Sequence, residues 1–427
     1  MLAKKIISLI AIALLAAVAH AAKAKTVVAR LPDTDEDGCY LISTAGELYG
    51  FAELVNGSFA ILPGVYPQDS MACAKLINDI VVNENVFRKD GSLNVSDTAK
   101  FAKWYVIENF QGSFDGQGYT ISGLFANSTM VPHMGLFSSV GSADESQRRD
   151  VSIKNVRLVD TYFEGNRNVG GFVGLVEYNT RLTIDRCSFA GGVKGGWHVG
   201  GFVGWDYSGV SISSSYNEAS VEGGNYAGGF AGLVVGENLS IVNSYNLGSV
   251  SGDDFVGGVV SIAPKMRLIN VFNLGQVSAF GTVAQHAGPV AGSAAKYNID
   301  RSLIDNVFSL APAVDSVGAS MTEEEFANGT VVTLMRDYDY DGVDGMAWGQ
   351  DIGSDPYPVL SGVVSGEVSL PTITITLDTG SGEPCTREIL SGYEFRIPEV
   401  KRENYKLMAW YGSEDFSLGP ITHVPAT

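Results

Sequence analysis

The chain has 427 residues, with 28 Lys+Arg against 47 Asp+Glu and a formal net charge of −19. A surface this acidic repels nucleic acid and anionic lipid, and both are excluded as partners. Hydrophobic residues at 45% and charged residues at 18% describe a folded chain, and 51 Gly without a Gly-X-Y period point to a turn-rich, all-β body.

The N-terminus opens with the basic MLAKK and continues with the apolar run IISLIAIALLAAVA (6–19). Small residues follow, which gives residues 1–21 the form of a secretory signal peptide cleaved after Ala21, with Ala24 as the alternative. The competing reading is an uncleaved membrane anchor. No later stretch is apolar enough to span a bilayer. The expected destination is the extracellular space or the outer cell surface, with the periplasm as an alternative. Cys39, Cys73, Cys187 and Cys385 then sit in an oxidising compartment. Cys39 and Cys73 share one segment and are expected to pair, a bridge worth roughly 4 kcal/mol on the chain-entropy account. Cys187 reads as a buried thiol.

Residues 33–110 read as an N-terminal capping region. STAGELYGFAELVNG (43–57) is a short helix, with Thr44 and Glu47 forming a capping box. CAKLINDIVVNENVF (73–87) moves from short helix-like spacing into a strand.

A repeat dominates 111–310. VGGFVG at 169 recurs as VGGFVG at 199, AGGFAG at 227, VGGVVS at 256 and AGPVAG at 287, in steps of 30, 28, 29 and 31 residues. Each block is followed by a second one, such as LSIVNSYNLGSV (239–250). A fixed period of this length marks a stacked repeat, and the Val, Ile, Tyr and Phe content with period-two alternation marks strands. Aligning the copies puts Phe189, Tyr216, Tyr245, Phe272 and Phe308 in one column, and Asn217, Asn246 and Asn273 in the next. The blocks resemble GLUG repeats of bacterial secreted and surface proteins, which include the non-catalytic region of some immunoglobulin-cleaving metalloproteases. The expected fold is an all-β, right-handed parallel β-solenoid with short helical caps.

Residues 320–362 read as a C-terminal cap. MTEEEFANGTVVTLMRD (321–337) carries a second capping box, Thr322 with Glu325, and helical apolar spacing, and 348–360 is extended. After a linker, 371–427 resembles the Listeria–Bacteroides (internalin B-type) repeat. The matches are Ile373, Ile375, Leu377, Tyr393, Phe395, Pro398, Tyr405, Trp410, Tyr411, Ile421 and Pro425. That resemblance implies a small β-grasp-like module. The family's closing aromatic strand is missing before Thr427, so the module reads as cut short.

Candidate sites are few. DTDEDG (33–38) and DYDYDG (337–342) have the form D-x-D-x-D-G, in which Asp33, Asp35 and Asp37, or Asp337, Asp339 and Asp341, could converge on Ca²⁺. The twelfth-position Glu is absent from both, and the alternative is a solvated acidic turn. No other cofactor is indicated. Asp253 and Asp254 are the adjacent carboxylate pair within the coils, without a basic partner nearby in sequence. HExxH and GxSxG motifs are absent, so the chain reads as non-enzymatic.

Aromatic residues offer a different pattern. The residue before each glycine block is Asn168, His198, Tyr226, Phe255 and His286, with Trp197 beside His198, and the next corner carries Tyr178, Trp205 and Tyr207. These rings either stack on sugar or plug the turns of neighbouring coils. The expected role is adhesion to a polysaccharide or to a cell-surface glycan or protein. The alternatives are a polysaccharide lyase or hydrolase on the same scaffold, and a spacer presenting another domain.

Overall fold

The computed structural model describes residues 25–58, 68–96, 98–142, 144, 146–236, 238–281, 286–292, 302–311, 317–338, 342–366, 368, 370–378 and 385–397, with the backbone strands Trp410–Tyr411, Pro420–Ile421 and His423–Val424. Residues 1–24, which hold the expected signal peptide, and Asp339, Asp341, Pro398, Tyr405 and Pro425 lie outside the described residues.

Each repeat alternates short and longer strands. In the copy at 169, two short ones come from the glycine block, Asn168–Gly170 and Val173–Val176. Two longer ones follow, Thr180–Asp185 and Ser188–Gly195. Each strand pairs in parallel with its counterpart one copy on. The first short strands make a six-stranded sheet and the second a five-stranded sheet. The longer strands belong to one large sheet, in register as Thr183, Ser211, Ser240 and Arg267. Stacked copies therefore lie about 4.8 Å apart, and equivalent positions fall above one another.

Side chains that point inward are apolar. Leu182 and Ile184, Val210 and Ile212, Leu239 and Ile241, and Met266 and Leu268 are all buried. The phenylalanines of the glycine blocks stack through the interior, with Phe172–Phe202 and Phe202–Phe230 centroids 4.8 Å apart. A buried amide ladder runs beside them. Asn217 Nδ2 donates to Asn246 Oδ1 and Asn246 Nδ2 donates to Asn273 Oδ1, each at 2.7 Å. This ladder helps explain the second glycine in the blocks at 199, 227 and 256. A Cβ on Gly201 would meet Asn217 Oδ1 at 2.8 Å, and one on Gly258 would meet Asn273 Nδ2 at 2.3 Å.

Three sequence expectations are corrected. Phe189 belongs to the asparagine column, because Ser188 pairs with Tyr216 and Phe189 with Asn217. Phe189 fills the amide's inward slot, against Gly171. The helix-like start of 73–87 is instead strand, Cys73–Leu76 and Ile80–Val81, whose residues alternate in burial. The helical stretch of 321–337 is two helices, Glu323–Ala327 and Thr330–Arg336, broken at Gly329 with φ 94.

At the N-terminal end, the helix Ala45–Asn56 has both halves of its capping box and buries Phe51 against Phe110 and Phe114. Tyr40–Ile42 and Cys73–Leu76 continue the large sheet through Ser113–Asp115. Cys39 and Cys73 are bridged. Cys187 is buried, and burial pushes its thiol up to about 12. Asp160, in the left-handed region at φ 48, accepts from the amides of Val86 and Phe87 at 3.0 and 2.7 Å. Asp160→Ala is expected to cost about 1–2 kcal/mol. Amide exchange should rise selectively over 83–95; an unchanged exchange pattern there would remove this clamp from the account.

At the other end, the corner between the two long strands carries a left-handed residue in each copy: Asn155, Arg186, Ser214, Asn243, Asn270 and Asn306. Asparagine tolerates that conformation better than most residues. The last three amides form a ladder, Asn306 to Asn270 to Asn243. They also donate to the carbonyls of Leu334, Met335 and Asp344. Trp348, fully buried, donates its indole N–H to Asn243 at 3.0 Å. Beyond this, Thr372–Leu377 pairs antiparallel with Cys385–Leu390, and the Tyr393 hydroxyl donates to the Glu325 carboxylate.

Candidate functional site

The six-stranded sheet carries one column of polar and aromatic side chains: Asn168, His198, Tyr226 and Phe255 are in register. His198 Nδ1 donates to Asn168 Oδ1 at 2.8 Å, and Asn168 Nδ2 donates to His133 Nδ1 at 2.9 Å. From His198 onward the column is made of rings, tilted at His198–Tyr226 and stacked after it. Centroids are 5.2 Å apart for His198–Tyr226 and Tyr226–Phe255, and 4.4 Å for Phe255–His286. Burial, with Arg167 as a second cause, pushes His198 down to about 4, so this imidazole is neutral near pH 7.

A second group of rings joins the column at His198. Trp205 lies 4.6 Å from His198, Tyr207 lies 4.2 Å from Trp205, and Tyr178 stacks on Tyr207 at 4.4 Å. The structure thus brings together Trp197, His198, Trp205, Tyr207 and Tyr226 in one contiguous cluster. Exposure separates them. Trp197 is 47% and Tyr178 45% exposed, whereas His198 is 9% and Phe255 7%. Phe255 and His198 therefore act mainly as packing between copies, and the surface available to a ligand is Trp197, Tyr178 and the half-buried Tyr207, Trp205 and Tyr226.

Asp206 is a residue that the sequence reading passed over. It occupies a column whose neighbours are Val176 and Val234, and it is fully buried. Oδ1 accepts from the amides of Ser208 and Gly209 at 2.8 and 3.0 Å. Oδ2 has no hydrogen-bond partner among the described residues. Burial pushes the carboxyl up to about 7, against the two amide bonds that act the other way. A carboxylate in a valine column is the signal that could have found it.

The turn that Asp206 holds forms one wall of a groove of about 430 Å³. The groove crosses four successive copies and is lined by Arg148, Arg181, Asn179, Ser208, Ser211 and Asn238, among others. The stacked tyrosines immediately precede it in the chain, Tyr178 before Asn179 and Tyr207 before Ser208. Scattered Ser, Asn and Arg carry no periodic signal, so the groove is not legible in the sequence.

The acidic motifs fare differently. Asp35 is engaged by Lys75 at 2.7 Å and accepts from the Asp37 and Cys39 amides. The Lys75 hydrogen bond holds its carboxyl below the ordinary value. Asp33 is exposed in a short strand, and Lys75 lies 3.9 Å from Asp37. Asp337 ends the second C-terminal helix, and burial pushes its carboxyl up. No group of three or more His, Cys, Asp or Glu among the described residues could hold a metal ion. Asp254 meets His286 Nδ1 at 2.9 Å.

No family model matches the chain. Over 133 residues, 30% of its length, it is 34% identical to halomucin of Haloquadratum walsbyi, and it spans about 1% of that relative. Its fold is similar to the crystal structure of a putative immunoglobulin A1 protease from Bacteroides ovatus, with a TM-score of 0.52 and 16% identity, covering 78% of this chain and 95% of the other. No helix among the described residues is long and apolar enough to cross a membrane.

Proposed function

We propose that this is a non-catalytic, exported adhesion protein that holds a polysaccharide or cell-surface glycan on the aromatic cluster around Trp205. In this reading the repeats are of the GLUG type and wind as a right-handed parallel β-solenoid, closed by helical caps and followed by an internalin B-type module. The carrying observation is the contiguous ring cluster that ends in the exposed faces of Trp197 and Tyr178. An exposed ring offers an apolar face to a sugar while its polar edge stays wet, and a stack held rigid by its neighbours loses little freedom on binding. The stretch shared with halomucin and the fold shared with the B. ovatus protein support a place among secreted or surface proteins.

The test is retention of residues 25–427 on insoluble cellulose, xylan, pectin and mucin, with Ca²⁺ and with chelator. Retention on one polymer should fall at least tenfold in Trp197→Ala and Tyr178→Ala. Loss with chelator alone would bring a Ca²⁺ site at Asp337, Asp339 and Asp341 forward. Release of soluble sugar would favour the lyase or hydrolase reading, and retention nowhere would favour the spacer.

A further inference from the structure

We infer that the groove beside Tyr178 and Tyr207 is a subsite for an acidic sugar of a polysaccharide; this rests on the glycan reading above and narrows it. The chain carries 47 acidic residues, yet the described lining of this groove contains none and contains two arginines. Arg148 and Arg181 come from adjacent copies. Asp150 pairs in register with Arg181, so Arg148 stands two residues from that rung.

The two guanidinium groups are available. Both arginines are exposed. Among the described residues Arg148 has only a loose surface pair with Asp150, at 3.7 Å, of a kind worth little in water and readily exchanged. Arg181 makes no ion pair among the described residues. A guanidinium presents a planar fork of donors that matches a carboxylate or sulfate.

The rest of the lining fits the remainder of a sugar. Asn238 offers an amide, and Ser208 and Ser211 offer hydroxyls. Donors and acceptors in this mixture suit hydroxyl groups, and an apolar ligand would leave them unpaired. The groove's volume falls in the range of ligand sites. With copies about 4.8 Å apart, four copies span about 14 Å, which suits a linear chain lying across the strands. At physiological salt the screening length is about 8 Å, so distant carboxylates act weakly at the groove, where Arg148 and Arg181 stand against Asp150.

The test is affinity electrophoresis of the full chain, with signal segment removed, in soluble polygalacturonate, chondroitin sulfate and neutral xyloglucan at physiological salt. The variants are Arg181→Gln, Arg148→Gln and Tyr178→Ala, each checked for an unchanged circular dichroism spectrum. The expected result is retardation by at least one acidic polymer, weakened at least tenfold in Arg181→Gln and in Tyr178→Ala. Retardation by polygalacturonate alone identifies the carboxylate, and by chondroitin sulfate alone the sulfate; either supports the assignment. Retardation by xyloglucan alone, or acidic binding untouched in both arginine variants, overturns the subsite and leaves the glycan reading standing. Retardation by no polymer overturns both.

Discussion

Gly229→Ala is expected to cost roughly 3–5 kcal/mol of folding stability, combining overpacking with disruption of buried amide hydrogen bonds. The added Cβ would sit 2.1 Å from the Gly258 carbonyl oxygen and 2.8 Å from Asn246 Cγ. The first contact is backbone of the next copy, which cannot rotate away. The second is the middle rung of the amide ladder, which holds Asn217 and Asn273 at 2.7 Å on either side. Relief therefore requires opening the spacing between copies or breaking the ladder. Gly91→Ala is the control. Gly91 has φ +81 and nothing within 4 Å of a built Cβ, so only backbone strain of about 1–2 kcal/mol applies. Urea unfolding of both variants reads the difference. Equal midpoints would show that the copies separate easily and that the glycines recur for another reason.

Asp206→Asn is expected to act in the opposite direction, raising stability at pH 8 by about 1–3 kcal/mol. The folded carboxyl titrates at about 7, against about 3.9 when unfolded. Between those values the folded state holds a proton that the unfolded state has released. Wild-type stability from this group is therefore full below about 4 and is lost as pH rises to about 7. Asparagine keeps an oxygen for the Ser208 and Gly209 amides and removes the charge, while its buried Nδ2 offsets part of the gain. The advantage should shrink as pH is lowered toward 4. His198 works in reverse: its folded value of about 4 lies below the usual 6.5, so stability is lost as pH falls through that window. The two curves partly cancel, and the informative quantity is the variant-minus-wild-type difference across pH. A variant less stable than wild type at pH 8 would mean that the Asp206 charge has a partner.

Periodicity made the architecture readable, because stacking forces each copy to reuse a residue type wherever it touches itself. Gly201, Gly229 and Gly258 recur since each faces an amide, and Asn217, Asn246 and Asn273 recur since each bonds to the next. The error at Phe189 arose where this rule is weakest. Neighbouring positions on a strand point to opposite faces, and an aromatic fits either one, so aligning Phe189 with Tyr216 sets Ser-Phe one residue out of step with Tyr-Asn. The capping boxes at Thr44 and Thr322 were legible because their chemistry is local. The break at Gly329 was not, since apolar spacing continues across it. The site divided in the same way. The ring column was visible as a repeated position, but its burial depends on a corner between two sheets that no linear pattern reports. Arg148 and Arg181 line one groove only because two copies stack.

The asparagine corner has a mechanical consequence. In a stack whose layers touch only their neighbours, tension on the C-terminal end peels one layer at a time, and each step breaks few bonds. Here the segment 334–348 is tied to Asn243, Asn270 and Asn306 in three successive layers, and Trp348 adds a fourth tie at Asn243. A pull transmitted through this segment loads all three layers at once, in shear along the stack. The end that continues into 371–427 would then yield as a block and not one layer at a time.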